Sequence, residues 1–234
     1  MSDHPLPVKA CVFDAYGTLF DIATATAACN DILEGKAAEL TGLWRAKQLQ
    51  YTWLRSLQNR HTDFWTVTGE ALDFSLDTLG FHGRVMRERL MAAYRQLGCF
   101  EEVPAVLQQL REAGMKTAVL SNGSPAMLAA AIKASALDRQ FDGVFSADEV
   151  GVFKPHPSVY QLAVDRLGLP ADKIVFLSSN GWDAHGASAF GMRAIWCNRY
   201  AQRAERLPGR PDHVIKSLRE LPPLVRHERS MTVG

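Results

Sequence analysis

Short apolar runs and helical periods alternate along most of this chain, and one long stretch interrupts them. Residues 8–13 are apolar with β-branched and aromatic members and run into a glycine turn, which predicts a buried strand. From residue 98 onward the alternation is regular. Residues 103–113 predict a helix, "KTAVLSNG" a strand and turn, 124–136 a helix, and "FDGVFSADE" a strand and loop. Residues 157–167 predict a helix, "DKIVFLSSNG" a strand, 183–190 a helix, and "RAIWCN" a strand. Alternating βα units imply a parallel sheet covered by helices on both faces. The run at 8–13, read as an edge strand, must join that sheet because it cannot stand alone.

The interrupting stretch is helical throughout. Leu40, Leu43, Trp44, Lys47, Tyr51 and Leu54 recur at helical spacing, with Leu49, Trp53 and Leu57 on an adjacent face. That pattern predicts a helix apolar around much of its girth and well buried. "DFWTVTGEALDFSLDTLG" predicts a second helix with Thr68 as N-cap and Gly80 as its stop, and "GRVMRERLMAAYRQLG" a third. The fold class expected is therefore α/β: a doubly wound parallel-sheet core over 1–18 and 98–234, with an inserted α-helical cap domain over 19–97. The polar tail "RHERSMTVG" is expected to fray.

Composition narrows the setting. Hydrophobic residues make up 47% of the 234, enough for a substantial core, and 26 basic against 25 acidic residues leave a net charge of +1. That balance argues against a nucleic-acid partner. The start "MSDHPLPVKA" has no apolar signal core, and no apolar stretch approaches the roughly 18 residues that span a bilayer. Cys11, Cys29, Cys99 and Cys197 are scattered without a C-x-x-C pair, and Cys11 and Cys197 read as small core hydrophobes. His4, His61, His82 and His213 lack ligand spacing and are expected at the surface; His156 is expected in a loop beside an N-cap. The expectation is a cytoplasmic protein without a membrane partner.

Candidate chemistry gathers where the strands end. Ligands of open parallel sheets bind outside the carboxyl ends of the strands. Asp14 follows the first strand, Ser121 and Asn122 follow "TAVL", Lys154 follows "GVFS" in the loop "VFKPHP", and Ser178, Ser179, Asn180 and Asp183 follow "IVFL". Each alone is an ordinary turn residue, helix cap or solvated lysine. Their convergence on one sheet edge favours a site.

Four segments carry a resemblance: "DAYGT" from Asp14, "SN" at Ser121, "KPHPSVY" from Lys154 and "SSNGWD" from Ser178. Together with "LWRAKQLQYTWLRSL" and "DFW" they resemble the haloacid dehalogenase superfamily, and within it the L-2-haloacid dehalogenases of type II. The phosphatases of that superfamily resemble "DxDGT", whose second acid protonates a departing alkoxide, and they gather acids around Mg²⁺. Here the second acid is Tyr16, a weak donor at neutral pH with an ordinary pKa near ~10. The acids expected before Asp183 are Ser179 and Asn180, which leaves a magnesium cage short of carboxylates. A halide leaving group needs no proton, so the substitution fits displacement at carbon by a carboxylate nucleophile.

The resemblance implies the roles. Asp14 attacks C2 of a short (S)-2-haloalkanoic acid and forms an ester; water then attacks the ester carbonyl and an (R)-2-hydroxy acid leaves. Thr18 and Ser178 orient Asp14, and Lys154 keeps it ionised. Arg45 takes the halide from the cap. Ser121 and Asn122 bind the substrate carboxylate or the halide, and Asn180 and Asp183 handle the water. Tyr160 supports Lys154 and the site. Leu49, Phe64 and Trp182 form an apolar halogen pocket, a reading that can hold together with core packing, and Tyr16 counts among the substrate-binding residues. No cofactor and no metal are implied; the partners are the 2-haloacid and the halide ion, and a homodimer is possible. Two departures stand out: Ala46 where the family commonly has Gln, expected to loosen the halide end, and "GCFEEVPAV" in place of a Tyr-Pro-Asp-Ala pattern. A phosphatase on the same fold, or an inactive binding protein, are the alternatives.

Overall fold

The computed structural model describes residues 5–228. Six parallel strands form the central sheet in the order β4-β3-β2-β5-β6-β7. They are β2 (Ala10–Phe13), β3 (Lys116–Ser121), β4 (Gly143–Ser146), β5 (Ile174–Ser178), β6 (Arg193–Cys197) and β7 (His213–Ile215). All of β2 is buried, as is all of β5, as their unbroken apolar runs require in a sheet covered on both faces. Around them lie α5 (Val103–Glu112), α6 (Pro125–Ala134), α7 (Pro157–Leu167) and α8 (Gly181–Phe190).

The run at 8–13 is not one edge strand. It breaks at Lys9: β1 (Leu6–Val8) pairs with β8 (Val225–His227) in a separate two-stranded sheet, and β2 takes the middle of the large one between β3 and β5. The chain builds outward from β2 in both directions, so the carboxyl end of β2 is the topological switch point where such sheets place ligands. Strands β7 and β8 were not anticipated. Arg226 and His227 are held in β8, contrary to the fraying expected of the tail; residues 229–234 and His4 lie outside the described residues.

The chain leaves the core just after β2 and returns just before α5. Asp21 N–H donates to Gly98 carbonyl at 3.0 Å, and Phe100 N–H to Leu19 carbonyl at 2.9 Å, so the two crossings are tied together. Between them lie α1 (Ala23–Ala27), α2 (Ala37–Leu57), α3 (Phe64–Thr78) and α4 (Arg84–Arg95). Helix α1 carries no sequence signal strong enough to have been expected.

Two expectations for these helices need correction. The buried stripe of α2 is Leu40, Trp44, Gln48 and Thr52, half of it polar, whereas Leu54 is 44% and Leu57 81% exposed. The N-cap of α3 is Asp63, whose carboxylate accepts from Thr66 N–H at 3.0 Å; Thr68 is inside the helix, donating to the Phe64 carbonyl at 2.6 Å. Gly80 does end α3, at φ +75°, with Phe81 N–H reaching back to the Leu76 carbonyl. Cys11 and Cys197 pack in strands as expected, but His213 is buried in β7, His61 is half-buried against Asp148, and His156 is itself the N-cap of α7.

Candidate active site

Four strand ends and two helices of the inserted segment, α2 and α3, meet at a small cavity. Its walls are Asp14, Tyr16, Arg45, Leu49, Phe64, Ser121, Asn122, Lys154, Asn180 and Trp182. The free volume is about 10 Å³, room for roughly one water.

Asp14 follows β2 directly, its N–H bound to the Leu177 carbonyl of β5 at 2.8 Å. The chain then turns sharply at Gly17, at φ +89°, where a Cβ would stand 3.1 Å from Ser179 Oγ. That turn brings Thr18 back onto the carboxylate. Asp14 Oδ2 accepts from Thr18 Oγ1 at 3.1 Å, Asn180 Nδ2 at 3.1 Å and Ser178 Oγ at 3.4 Å. Oδ1 accepts from Lys154 Nζ alone among the described residues, at 3.1 Å. One oxygen is saturated and the other retains a lone pair.

Lys154 is 1% exposed and lies between two carboxylates, with Asp183 Oδ2 at 3.0 Å on its other side. Asn122 Oδ1 accepts the Lys154 backbone N–H at 2.9 Å, and the ammonium lies 4.6 Å from the Phe176 ring centre. Asp183 is fully buried at the start of α8; its Oδ1 accepts from Tyr160 Oη at 2.8 Å. Burial pushes the Asp183 carboxyl up, and the Lys154 ammonium opposes that. Asp183 and Tyr160 therefore stand behind Lys154 rather than on the cavity wall. Tyr160 bears on Asp183, not on Lys154 directly, and does not line the substrate space.

Arg45 comes from α2. Its guanidinium donates to Gln48 Oε1 at 2.7 Å and, more weakly, to Asn180 Oδ1 at 3.4 Å and the Tyr16 carbonyl at 3.5 Å. Asn180 thus touches the carboxylate with its amide nitrogen and the guanidinium with its oxygen. Ala46 is exposed on the outer side of α2 and is absent from the cavity wall, so its loosening effect has no structural basis.

Tyr16 is 3% exposed, with its ring 5.6 Å from Tyr94 and 5.9 Å from Phe64. Gly123 makes room for it, since a Cβ there would lie 2.6 Å from the Tyr16 ring. Burial, with the Tyr94 and Asp14 neighbours, pushes the Tyr16 phenol well above its ordinary value. It remains a neutral wall and no acid. No three His, Cys, Asp or Glu side chains among the described residues group as a metal site.

Sequence reasoning placed Ser179 at the strand end without a role, and its N–H donates to Thr18 Oγ1 at 2.8 Å; it missed Arg199, which donates to the Thr18 carbonyl at 3.0 Å. It also passed over Gln48, although a glutamine one turn from Trp44, on the face that carries Leu40 and Trp44, was a visible signal.

A family model described as haloacid dehalogenase-like hydrolase matches residues 8–191. The chain belongs to the haloacid dehalogenase-like hydrolases. Within them it is 43% identical over 220 residues to (S)-2-haloacid dehalogenase 1 of Pseudomonas sp. (strain CBS-3), covering 94% of this chain and 97% of that one. A crystal structure of a dehalogenase superposes with a TM-score of 0.92 at 42% identity, covering 96% and 99% of the two chains. The L-2-haloacid dehalogenase of Xanthobacter autotrophicus with chloropropionic acid covalently bound superposes at 0.87 and 37% identity, covering 93% and 98%. These dehalogenases share the parallel-sheet core with helices around it. No helix among the described residues is long and apolar enough to cross a membrane.

Proposed function

We propose that this protein hydrolyses short (S)-2-haloalkanoic acids to (R)-2-hydroxy acids through an ester on Asp14. The observation that carries this reading is one buried carboxylate, saturated at Oδ2, open at Oδ1, paired with Lys154 and sharing the cavity wall with Arg45 and, among the described residues, with no second acid. Oδ1 attacks C2 from the side opposite the halogen; the O–C2 bond forms as the carbon–halogen bond breaks, and the halide leaves with the electron pair toward Arg45. Such geometry splits one hard displacement into two steps. Ser121 and the Asn122 amide nitrogen hold the substrate carboxylate, as charge-assisted donors do. Leu49, Phe64 and Trp182 enclose the halogen and exclude bulk water.

Water then adds to the Asp14 ester carbonyl beside Asn180. The carboxylate is regenerated, the product oxygen takes one proton of that water, and the other passes to solvent. C2 is inverted once. Asp183 and Tyr160 act here by fixing Lys154, because neither faces the cavity. Thr18 and Ser178 aim the carboxylate.

A cavity of about 10 Å³ admits no haloacid. The reading therefore includes a core (1–18 and 98–234) and a helical cap (19–97) that moves at the paired crossing between Asp21 and Gly98 to let substrate in. It also includes a homodimer, supported by the exposed Leu54, Leu57 and Phe74 on α2 and α3, and a cytoplasmic setting, supported by four free cysteines. Light scattering that returns a monomer mass would remove the dimer.

The test is halide release from both enantiomers of 2-chloropropionate with chiral analysis of the lactate. Release from the (S) form alone, giving (R)-lactate, is expected. No halide from either, with phosphate freed from a simple ester when Mg²⁺ is added, would replace this reading with a phosphatase.

A further inference from the structure

Gln48 is 1% exposed in the middle of α2, on a stripe otherwise pressed into the apolar interior. A buried primary amide is costly unless its donors and acceptor are all used. Here they are. Nε2 donates to Thr68 Oγ1 at 2.7 Å and to Tyr94 Oη at 3.2 Å, and Oε1 accepts from Arg45 Nη1 at 2.7 Å. The amide can face only one way. The Thr68 proton is committed to the Phe64 carbonyl at 2.6 Å, so Thr68 Oγ1 must accept, and the nitrogen of Gln48 must be the end that meets it. The oxygen is thereby turned toward Arg45.

The bond to Gln48 is the shortest that Arg45 makes, and every other partner of its guanidinium is also neutral. Among the described residues no carboxylate forms an ion pair with it. Tyr94, within reach of Gln48, is kept as a neutral phenol by burial. A long, flexible arginine is thus pinned at the cavity wall by an acceptor that does not cancel its charge. A glutamate at the same place would hold the guanidinium as firmly and neutralise it.

We infer that Gln48 is a positioning residue for halide departure: its amide, set by Thr68 and Tyr94, fixes Arg45 while leaving the positive charge free for the leaving halide. This rests on the dehalogenase reading above. Charge stabilisation of this kind acts on the developing anion and not on substrate affinity.

The experiment compares the unaltered protein with Gln48→Glu and Thr68→Val. Three quantities are read: kcat and KM on (S)-2-chloropropionate, the kcat ratio of the 2-bromo to the 2-chloro substrate, and inhibition by added bromide. For Gln48→Glu, kcat is expected to fall about 10- to 100-fold with KM within a few-fold. The bromo-to-chloro ratio should rise, because the poorer leaving group depends more on Arg45, and bromide inhibition should weaken by about 10-fold or more. Thr68→Val should move all three in the same direction by less, since it releases the amide without adding charge. A purely structural glutamine would leave the leaving-group ratio and the bromide inhibition where they were. That outcome in Gln48→Glu overturns the inference, as it does in Thr68→Val if the glutamate variant does not fold. Absence of halide release from the unaltered protein is a separate result; it removes the dehalogenase reading itself.

Discussion

Lys154 Nζ lies 3.1 Å from Asp14 Oδ1, and the two side chains are only 1% and 9% exposed. A buried ammonium needs carboxylate partners, and Lys154 has two, Asp14 and, at 3.0 Å on its other side, Asp183. The Asp14 carboxylate is therefore held in place at the cavity wall by its contact with Lys154.

The first prediction concerns that carboxylate. Asp14→Asn keeps the shape and loses the nucleophile. Halide release should fall by about 10³-fold or more, with urea-induced unfolding changed far less. The positive counterpart is trapping: acid quench of the unaltered protein during turnover should leave the substrate's acid attached to the peptide that contains Asp14. Full turnover by the Asn variant, or an adduct on another peptide, would mean that Asp14 is not the nucleophile.

The second concerns Lys154. Lys154→Met keeps much of the stem that packs on Phe176 but leaves Asp14 and Asp183 facing each other without a cation. Breaking a buried pair by removing one partner costs about 3–5 kcal/mol. Equilibrium unfolding in urea should show a loss of that size at neutral pH. A loss below about 1 kcal/mol would mean that water already reaches the pair, as at exposed ion pairs.

The sheet was legible because its strands are unbroken apolar runs with a polar residue at each carboxyl end, and the switch point then collects those residues by topology alone. Asp14, Lys154 and Asn180 could be grouped in this way without any coordinates. What the pattern cannot carry is direction. Asp183 and Tyr160 sit in the right motifs, yet one turns behind Lys154 and the other reaches the carboxylate rather than the cavity. Strand β7 is only three residues long and follows the loop from Asn198 to Asp212, so no period announces it. Helix α2 misled for a different reason: Gln48 and Thr52 are buried because they hydrogen-bond, whereas Leu54 and Leu57 are apolar and exposed.

The same limit produces the third prediction. Thr68 looked like the start of α3 because a β-branched hydroxyl precedes its apolar run, but Asp63 fills that role with contacts to Thr66 N–H and Thr66 Oγ1. Asp63→Ala should cost about 1 kcal/mol and lower Tm by roughly 2–4 °C. Steady-state halide release should be unchanged, since the side chain is exposed and outside the cavity wall. Thermal unfolding indistinguishable from the unaltered protein would return the cap to another residue.

The last prediction is an alkaline limit set by buried acids. Burial pushes the Cys11 thiol from 9.0 up to about 12, because the thiolate would have to exist inside the central strand β2. The unfolded chain releases that proton near 9.0 while the folded chain keeps it. Between those two values the folded state binds more protons, so stability falls as pH rises. The contribution is intact below pH 9 and is lost at about 1.4 kcal/mol per pH unit above it. Cys197 adds a second such group, raised to about 11 by burial, and the phenols of Tyr16 and Tyr160, also raised by burial, steepen the loss further above pH 10. Cys11→Ala removes one thiol and leaves the others. Its unfolding free energy should sit below that of the unaltered protein by a constant amount up to pH 9, and the gap should close by roughly 2–3 kcal/mol by pH 11. Urea midpoints measured in half-unit steps of pH under reducing conditions give both curves. If they stay parallel through pH 11, Cys11 ionises as easily in the folded chain as in the unfolded one, and β2 admits water where the sheet is drawn as dry.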